Sequence, residues 1–229
     1  LFRMGSITKM FVSLSIMQLV EEGKLSLDDK VSKFIPEFAN TQVYKKINGK
    51  HGTEPQKNEM TIRHLLTHTS GISYGFLAPN IGAIYTKVAV PDGPNTSSET
   101  IQENMTDLAK APLFHRPSAK WTYGLSTDVL GAVVEVASGQ TLAEFLNARI
   151  FEPLNMKDTD FYFSYQDLKN GEEKFQSEKN LYNKGVISKM EFIEKQTILN
   201  QSKQQVENQK KNYVQNQITM ADLKKQLAD

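Results

Sequence analysis

The stretch Arg3-Met4-Gly5-Ser6-Ile7-Thr8-Lys9, followed at once by Met10-Phe11-Val12, carries a serine three residues before a lysine. Residues three apart share one face of a helix, so a helix opening at Ser6 places the Lys9 amine about one turn beyond the Ser6 hydroxyl. A serine hydroxyl is a weak nucleophile at neutral pH until a neighbouring base takes its proton. A lysine serves as that base when burial or nearby cations lower its pKa. A helix N-terminus adds backbone N–H groups that favour developing negative charge. The chemistry this spacing points to is attack on a carbonyl through an acyl-serine. Taken alone, Ser-x-x-Lys is more often just an exposed first helical turn. A secretory signal is a further reading, because Met10 to Val20 has the length of an apolar signal core. Ser13, Ser15 and Gln18 interrupt that run, however, and it ends in Glu21-Glu22-Gly23-Lys24 rather than in small residues.

Outward from this stretch, residues 10 to 22 carry apolar side chains on several faces, which predicts a buried helix stopped at Gly23. Asp28 and Asp29 suit the first turn of a short second element, and Pro36 ends or redirects it. Residues 40 to 60 are polar, with Gly49, Gly52 and Pro55, and read as a loop. Met60 to Gly71 reads as a two-turn helix capped by Thr61. Its two histidines, His64 and His68, lack a third ligand and an intervening acid, so they are expected to be packed and hydrogen-bonded rather than metal-bound. Residues 72 to 100 read as a long irregular segment, of the kind that is often functional. A helix is expected around Glu99 to Lys110. Another runs from Val129 through Ala137 to a stop at Gly139, and a third opens on the capping box Thr141-Leu142-Ala143-Glu144 and ends at Pro153. Asp158 to Phe163 reads as the start of a strand.

Composition sets the outer bounds. The chain has 229 residues, 39% hydrophobic and 23% charged, which are ordinary globular values. A net charge of +1 gives no global pull toward nucleic acid or anionic membrane. No cysteine is present, which excludes disulfides and thiolate metal sites. No apolar run has the roughly 18 to 20 residues that a transmembrane helix needs. All eight prolines lie between Pro36 and Pro153, and from about Glu172 onward the chain is rich in Gln, Asn, Lys and Glu. This division predicts a domain over 1–170, a junction over 171–179 and a helical tail over 180–229. Leu1 falls in what reads as mid-domain, so an N-terminal segment is expected to precede it.

Four stretches, in order, resemble one family. They are Phe2 to Lys9, Leu65-Leu66-Thr67-His68-Thr69-Ser70-Gly71, Trp121-Thr122-Tyr123-Gly124 and Phe151-Glu152-Pro153-Leu154-Asn155-Met156. Together, over about 165 residues, they are similar to the serine β-lactamase-like hydrolases, which include class C β-lactamases, DD-peptidases and related esterases. The resemblance implies an α/β (α+β) fold with a helical region beside an antiparallel sheet. It implies Ser6 as acyl-accepting nucleophile, Lys9 as its proton-transfer partner and Tyr123 as the phenol that shares the acid–base work, without metal or organic cofactor. His68 and Trp121 match family positions as scaffolding. The expected substrate is a small-molecule ester or amide (a β-lactam, a carboxylic ester) or a peptidoglycan-type D-Ala peptide, and the implied location is periplasmic, extracellular or cell-envelope.

Two departures bear on that expectation. Where a lactamase-type motif carries Asn two residues after the tyrosine, Leu125 stands here, which favours an esterase-like hydrolase. The family also continues into strands bearing a Lys-Thr-Gly-like or His-x-Gly-like motif, and none follows Phe163. A C-terminally truncated domain, mostly helical and impaired in turnover, is therefore expected. The tail from Asn180 resembles the α-hairpin arm of haemolysin-exporter-type membrane-fusion adaptors. Phe192, Leu199, Val206, Tyr213, Met220 and Leu227 recur every seven residues, while Lys195, Ser202, Gln209 and Asn216 hold the partner positions. That one-position stripe predicts a long helix with coiled-coil tendency and a helix–helix partner for 192–227. The competing functional expectation is thus a non-catalytic interaction segment.

Overall fold

The structure, a computed structural model, describes residues 4–47, 50–77, 79–88, 90, 100–161 and 165–226. It separates into two compact units, Leu1–Met156 and Lys157–Asp229. Helix dominates both.

The first unit is organised around two helices. Helix α1 (Thr8–Glu21) follows a short 3₁₀ turn, Gly5–Ile7. It ends in a Schellman arrangement at Gly23, whose φ of 70° is open to glycine, with Gly23 N–H bonded to Val20 O and Lys24 N–H to Leu19 O. Val12, Ile16 and Leu19 are buried at helical spacing. The all-round burial expected of α1 does not hold. Ile7, Met10, Leu14 and Met17 are exposed, and they too recur at helical spacing, so they form a second apolar stripe on solvent.

The remaining elements are best named in order. Residues 42–47 and 50–55 pair as an antiparallel hairpin, β1 (Gln42–Ile47) and β2 (Lys50–Pro55), where a loop was expected. Val43 pins it to the core, and the pairing is completed by polar partners such as Lys45 and Glu54, 2.7 Å apart, which hydrophobic periodicity does not register. Helix α2 (Ile62–Leu66) is shorter than expected and ends at Thr67, because His68 turns into positive φ (54°) before Gly71 is reached. Helix α3 (Pro79–Lys87) corrects the reading of 72–100 as wholly irregular; residues 91–99 lie outside the described set. Helix α4 (Ile101–Lys110) is capped by Thr100 and Glu103.

Helix α5 (Ser126–Ser138) is the centre of the core. Val129, Leu130, Ala132, Val133 and Val134 are fully enclosed, as a helix apolar on all sides requires. It packs against α1, α2, α4 and α6 (Leu142–Leu146), the last opened by the expected Thr141/Glu144 capping box. A π-helical turn, Asn147–Phe151, follows α6. Residues 158–161 form no strand, and Tyr162 and Phe163 lie outside the described residues.

The second unit is a helix pair, α7 (Tyr165–Asn183) and α8 (Lys189–Gln226). The expected junction, 171–179, lies within α7. Ser188 and Glu191 form a reciprocal cap at the start of α8. Phe192 stacks on Tyr182 and Phe175, Gly171 faces Leu199, and Lys203 pairs with Glu172. The first part of the seven-residue stripe is thus used within the chain, against α7. Among the described residues no single helix is long and apolar enough to cross a membrane.

Candidate active site

Ser6 sits in the 3₁₀ turn, exposed, and Lys9 is the second residue of α1. Tyr123 reaches the same point from the segment before α5, and its hydroxyl donates to Ser6 Oγ at 2.8 Å. Lys9 Nζ lies 5.0 Å from the centroid of the Tyr123 ring. The three residues singled out in the sequence, 117 positions apart at the extremes, are therefore brought together.

The loop that carries Tyr123 is zipped along residues 68–71. Phe114 N–H bonds to Gly71 O, Ser118 N–H to Thr69 O and Thr122 N–H to His68 O, at 2.7, 2.9 and 2.8 Å. Buried His115 holds the same loop from inside. Its Nδ1 donates to Arg116 O at 2.8 Å, which leaves Nε2 to accept from the Thr122 hydroxyl at 2.7 Å. Burial keeps the His115 pKa below its ordinary value, consistent with this neutral form. Gly124 is required next to Tyr123, since a Cβ there would stand 2.4 Å from Ser73 Cα and 2.6 Å from Ile72 O. Ser126, at the head of α5, shares a 2.8 Å hydrogen bond with Ser70 Oγ and ties the two segments together. His115 carries no motif signal, and Ser126, three residues past Tyr123, has no role that the motif assigns; contact in space reveals their part.

Tyr74 was not singled out in the sequence. Lys9 Nζ donates to its hydroxyl at 3.2 Å, and its ring lies 5.6 Å from that of Tyr123. Phe76 stacks on Tyr74, and Trp121 on Tyr123. His68 packs on both Tyr123 and Trp121, and its Nδ1 is buried with no hydrogen-bond partner. His64, by contrast, accepts Thr61 N–H at Nδ1 and meets Ser118 Oγ through Nε2. Among the described residues no cluster of His, Asp and Glu has the makings of a metal site.

Charge in the site differs from the lysine-base scheme. Burial pulls the Lys9 pKa down, but the Tyr74 hydroxyl, Tyr123 and the charge of Asp128 outweigh it and hold Lys9 above the ordinary lysine value. Lys9 is an ammonium at neutral pH. Tyr123 is lowered, first by its hydrogen bond with Ser6 and then by the adjacent Lys9. Burial raises Tyr74 despite the same lysine. Asp128, in the first turn of α5, is raised by burial, with Lys9 opposing. Burial and Lys9 both depress His68, so it is neutral. The helix-terminus amides also differ from expectation. Ile7 N–H is taken by Met4 O, and Thr8 N–H by the Gly5 and Ser6 carbonyls, so neither is aimed at the Ser6 hydroxyl.

A sequence profile described as Beta-lactamase matches residues 1–171. The chain belongs to the beta-lactamase family. Within it, the chain is 42% identical over 161 residues to Esterase EstB of Burkholderia gladioli, which covers 70% of this chain and 38% of that protein. It is 37% identical to the Lovastatin esterase of Penicillium rubens, over 69% of this chain and 39% of that one. A solved structure, EstCE1, described as a hydrolase with promiscuous acyltransferase activity, superposes with a TM-score of 0.59 at 34% identity, covering 72% of this chain and 41% of its own. The fold is thus β-lactamase/DD-peptidase-like, and the described part is mostly its helical portion. The chain spans about two fifths of the length of these relatives. The adaptor-arm resemblance of 180–229 finds no support in these comparisons.

Proposed function

We propose that this chain carries the nucleophilic half of a serine hydrolase or acyltransferase acting on carboxylic esters, with Ser6 as nucleophile, Tyr123 as general base and Lys9 as the cation that keeps Tyr123 acidic. The observation that carries the reading is the 2.8 Å hydrogen bond between Tyr123 OH and Ser6 Oγ, with Lys9 beside it. In the acylation step Ser6 Oγ bonds to the ester carbonyl carbon as its proton passes to the Tyr123 phenolate. Collapse of the tetrahedral adduct breaks the bond to the alcohol oxygen, which leaves with the proton returned by Tyr123. Water or a second alcohol, deprotonated in the same way, then attacks the acyl-Ser6 carbonyl and regenerates Ser6.

An ester rather than a β-lactam is favoured by Leu125. The position two residues past Tyr123 holds a buried apolar side chain and so offers the substrate no polar group. The names of the esterase relatives point the same way. Intact-mass measurement after incubation with a fluorophosphonate, and separately with a penicillin, tests the reading. Wild type is expected to gain the phosphonyl mass and Ser6→Ala to remain unlabelled. Equal labelling of Ser6→Ala overturns the nucleophile assignment, and a stable penicilloyl adduct would move the substrate class toward β-lactams.

A further inference from the structure

Trp121 does not behave as scaffolding. It is 64% exposed, unusual for the largest apolar side chain in a chain that holds a single tryptophan. Yet two rings flank it. The indole lies nearly parallel to the Tyr123 ring, at 6.2 Å and 22°, and the edge-on His68 ring lies 6.0 Å away. His68 in turn packs on Tyr123 at 5.3 Å, and its carbonyl accepts the N–H of Thr122, the residue that links Trp121 to Tyr123. A solvent-exposed aromatic ring, oriented in advance and directly beside the phenol that bonds Ser6, has the features of a recognition platform.

We infer that Trp121 is a specificity-determining contact that stacks against a planar aromatic group of the ester. The inference rests on the assignment of Ser6 as the acylated residue, since it is Tyr123 that places the indole at the reacting centre. Because the ring is already ordered by Tyr123 and His68, stacking a second flat ring on it costs little side-chain entropy. A short aliphatic ester, such as an acetate of a small alcohol, reaches Ser6 without gaining this contact. The selectivity predicted is therefore for aryl over small alkyl esters, expressed in KM more than in kcat.

The single tryptophan makes the contact directly observable. In the Ser6→Ala protein, which cannot be acylated at that position, methyl 4-nitrobenzoate is titrated while Trp121 emission is followed; the nitroaryl ring quenches indole on contact. Saturable quenching with an unchanged emission lifetime is expected, relieved by competing methyl benzoate but not by methyl acetate at the same concentration. Quenching that rises linearly with a shortened lifetime, or that methyl acetate relieves as well as methyl benzoate, overturns the inference. Saturable quenching without any fluorophosphonate adduct in wild type would retain Trp121 as an aryl site and discard the acyl-serine reading, so the two failures are distinct. In active protein, Trp121→Ala is expected to lower the preference for a benzoate over an acetate ester about tenfold, the typical worth of one good apolar contact. Trp121→Tyr should recover part of it.

Discussion

Tyr123 and Lys9 share a few ångströms of space but hold their protons in opposite ways, and the consequence is a definite pH dependence. Lys9 is raised, so it remains an ammonium throughout the working range and is lost as a cation only above the ordinary lysine value. Tyr123 is lowered, so its phenolate, the form that can accept the Ser6 proton, appears below the ordinary phenol pKa of about 10. Acylation should therefore rise about tenfold per pH unit through the neutral range and level off before pH 10. Lys9→Met removes the positive charge beside the phenol, and the midpoint should move to higher pH. Fluorophosphonate labelling rates measured from pH 6 to 11 check both points. A profile that falls as pH rises would exclude a phenolate base, and one unmoved by Lys9→Met would exclude Lys9 as the cation that keeps Tyr123 acidic. Labelling abolished at every pH by Lys9→Met would make Lys9 rather than Tyr123 the base. The sequence showed which residues meet, because Ser6 and Lys9 lie one turn apart and Tyr123 sits in a recognisable motif. It could not show their protonation, since Tyr74 and Asp128 reach Lys9 only through the fold.

Among the elements, α5 and α1 read very differently from sequence and illustrate what periodicity can convey. The run Val129 to Val134 with a glycine stop required a buried helix, and α5 is one. The equally apolar run in α1 predicts the same, yet three of its side chains, Met10, Leu14 and Met17, face solvent: Met10 is 65% exposed while Ile16 and Leu19 have no exposed surface. Apolar residues on all sides state that a helix can be enclosed, not what encloses it. The β1–β2 hairpin escapes hydrophobic periodicity for a complementary reason, since its cross-strand partners are mainly charged or polar and, among its described side chains, only Val43 is deeply buried. The difference between α5 and α1 is measurable. Leu130→Ala should destabilise the fold by about 2–5 kcal/mol, the usual cost of an emptied core leucine site. Met10→Ala, at an exposed position, should stay within about 0.5 kcal/mol. Denaturant unfolding of the two variants decides it; equal losses would mean that the α1 stripe is covered in solution.

For the molecule as a whole, the question is whether the two units depend on each other. The first holds an uninterrupted core from Val12 to Phe145, and every residue placed at the site, from Ser6 to Asp128, lies within it. The second is a helix pair whose aromatic contacts, Phe175 and Tyr182 on Phe192, are internal. The change in composition after Glu172 announced two kinds of segment, but the compact first unit closes at Met156, because Ile150, Phe151 and Met156 pack with Phe11 and Leu142 while nothing in composition changes there. The family profile nevertheless runs to residue 171, into the second unit. The two boundaries yield a sharp test. If Ser6 reactivity needs only the first unit, a chain ending at Met156 should label with fluorophosphonate at the rate of the full chain and melt with the same cooperativity. If residues 157–171 contribute to the family's working unit, as the profile's extent allows, the shorter chain should lose labelling while a chain ending at Gly171 keeps it. Because Ser6, Lys9 and Tyr123 draw their geometry from α1, α5 and the zipped 68–71/114–122 loops, all internal to the first unit, the expectation is that the chain ending at Met156 labels fully; loss of labelling in that chain, with its fold intact by circular dichroism, would show that the site is completed from beyond it.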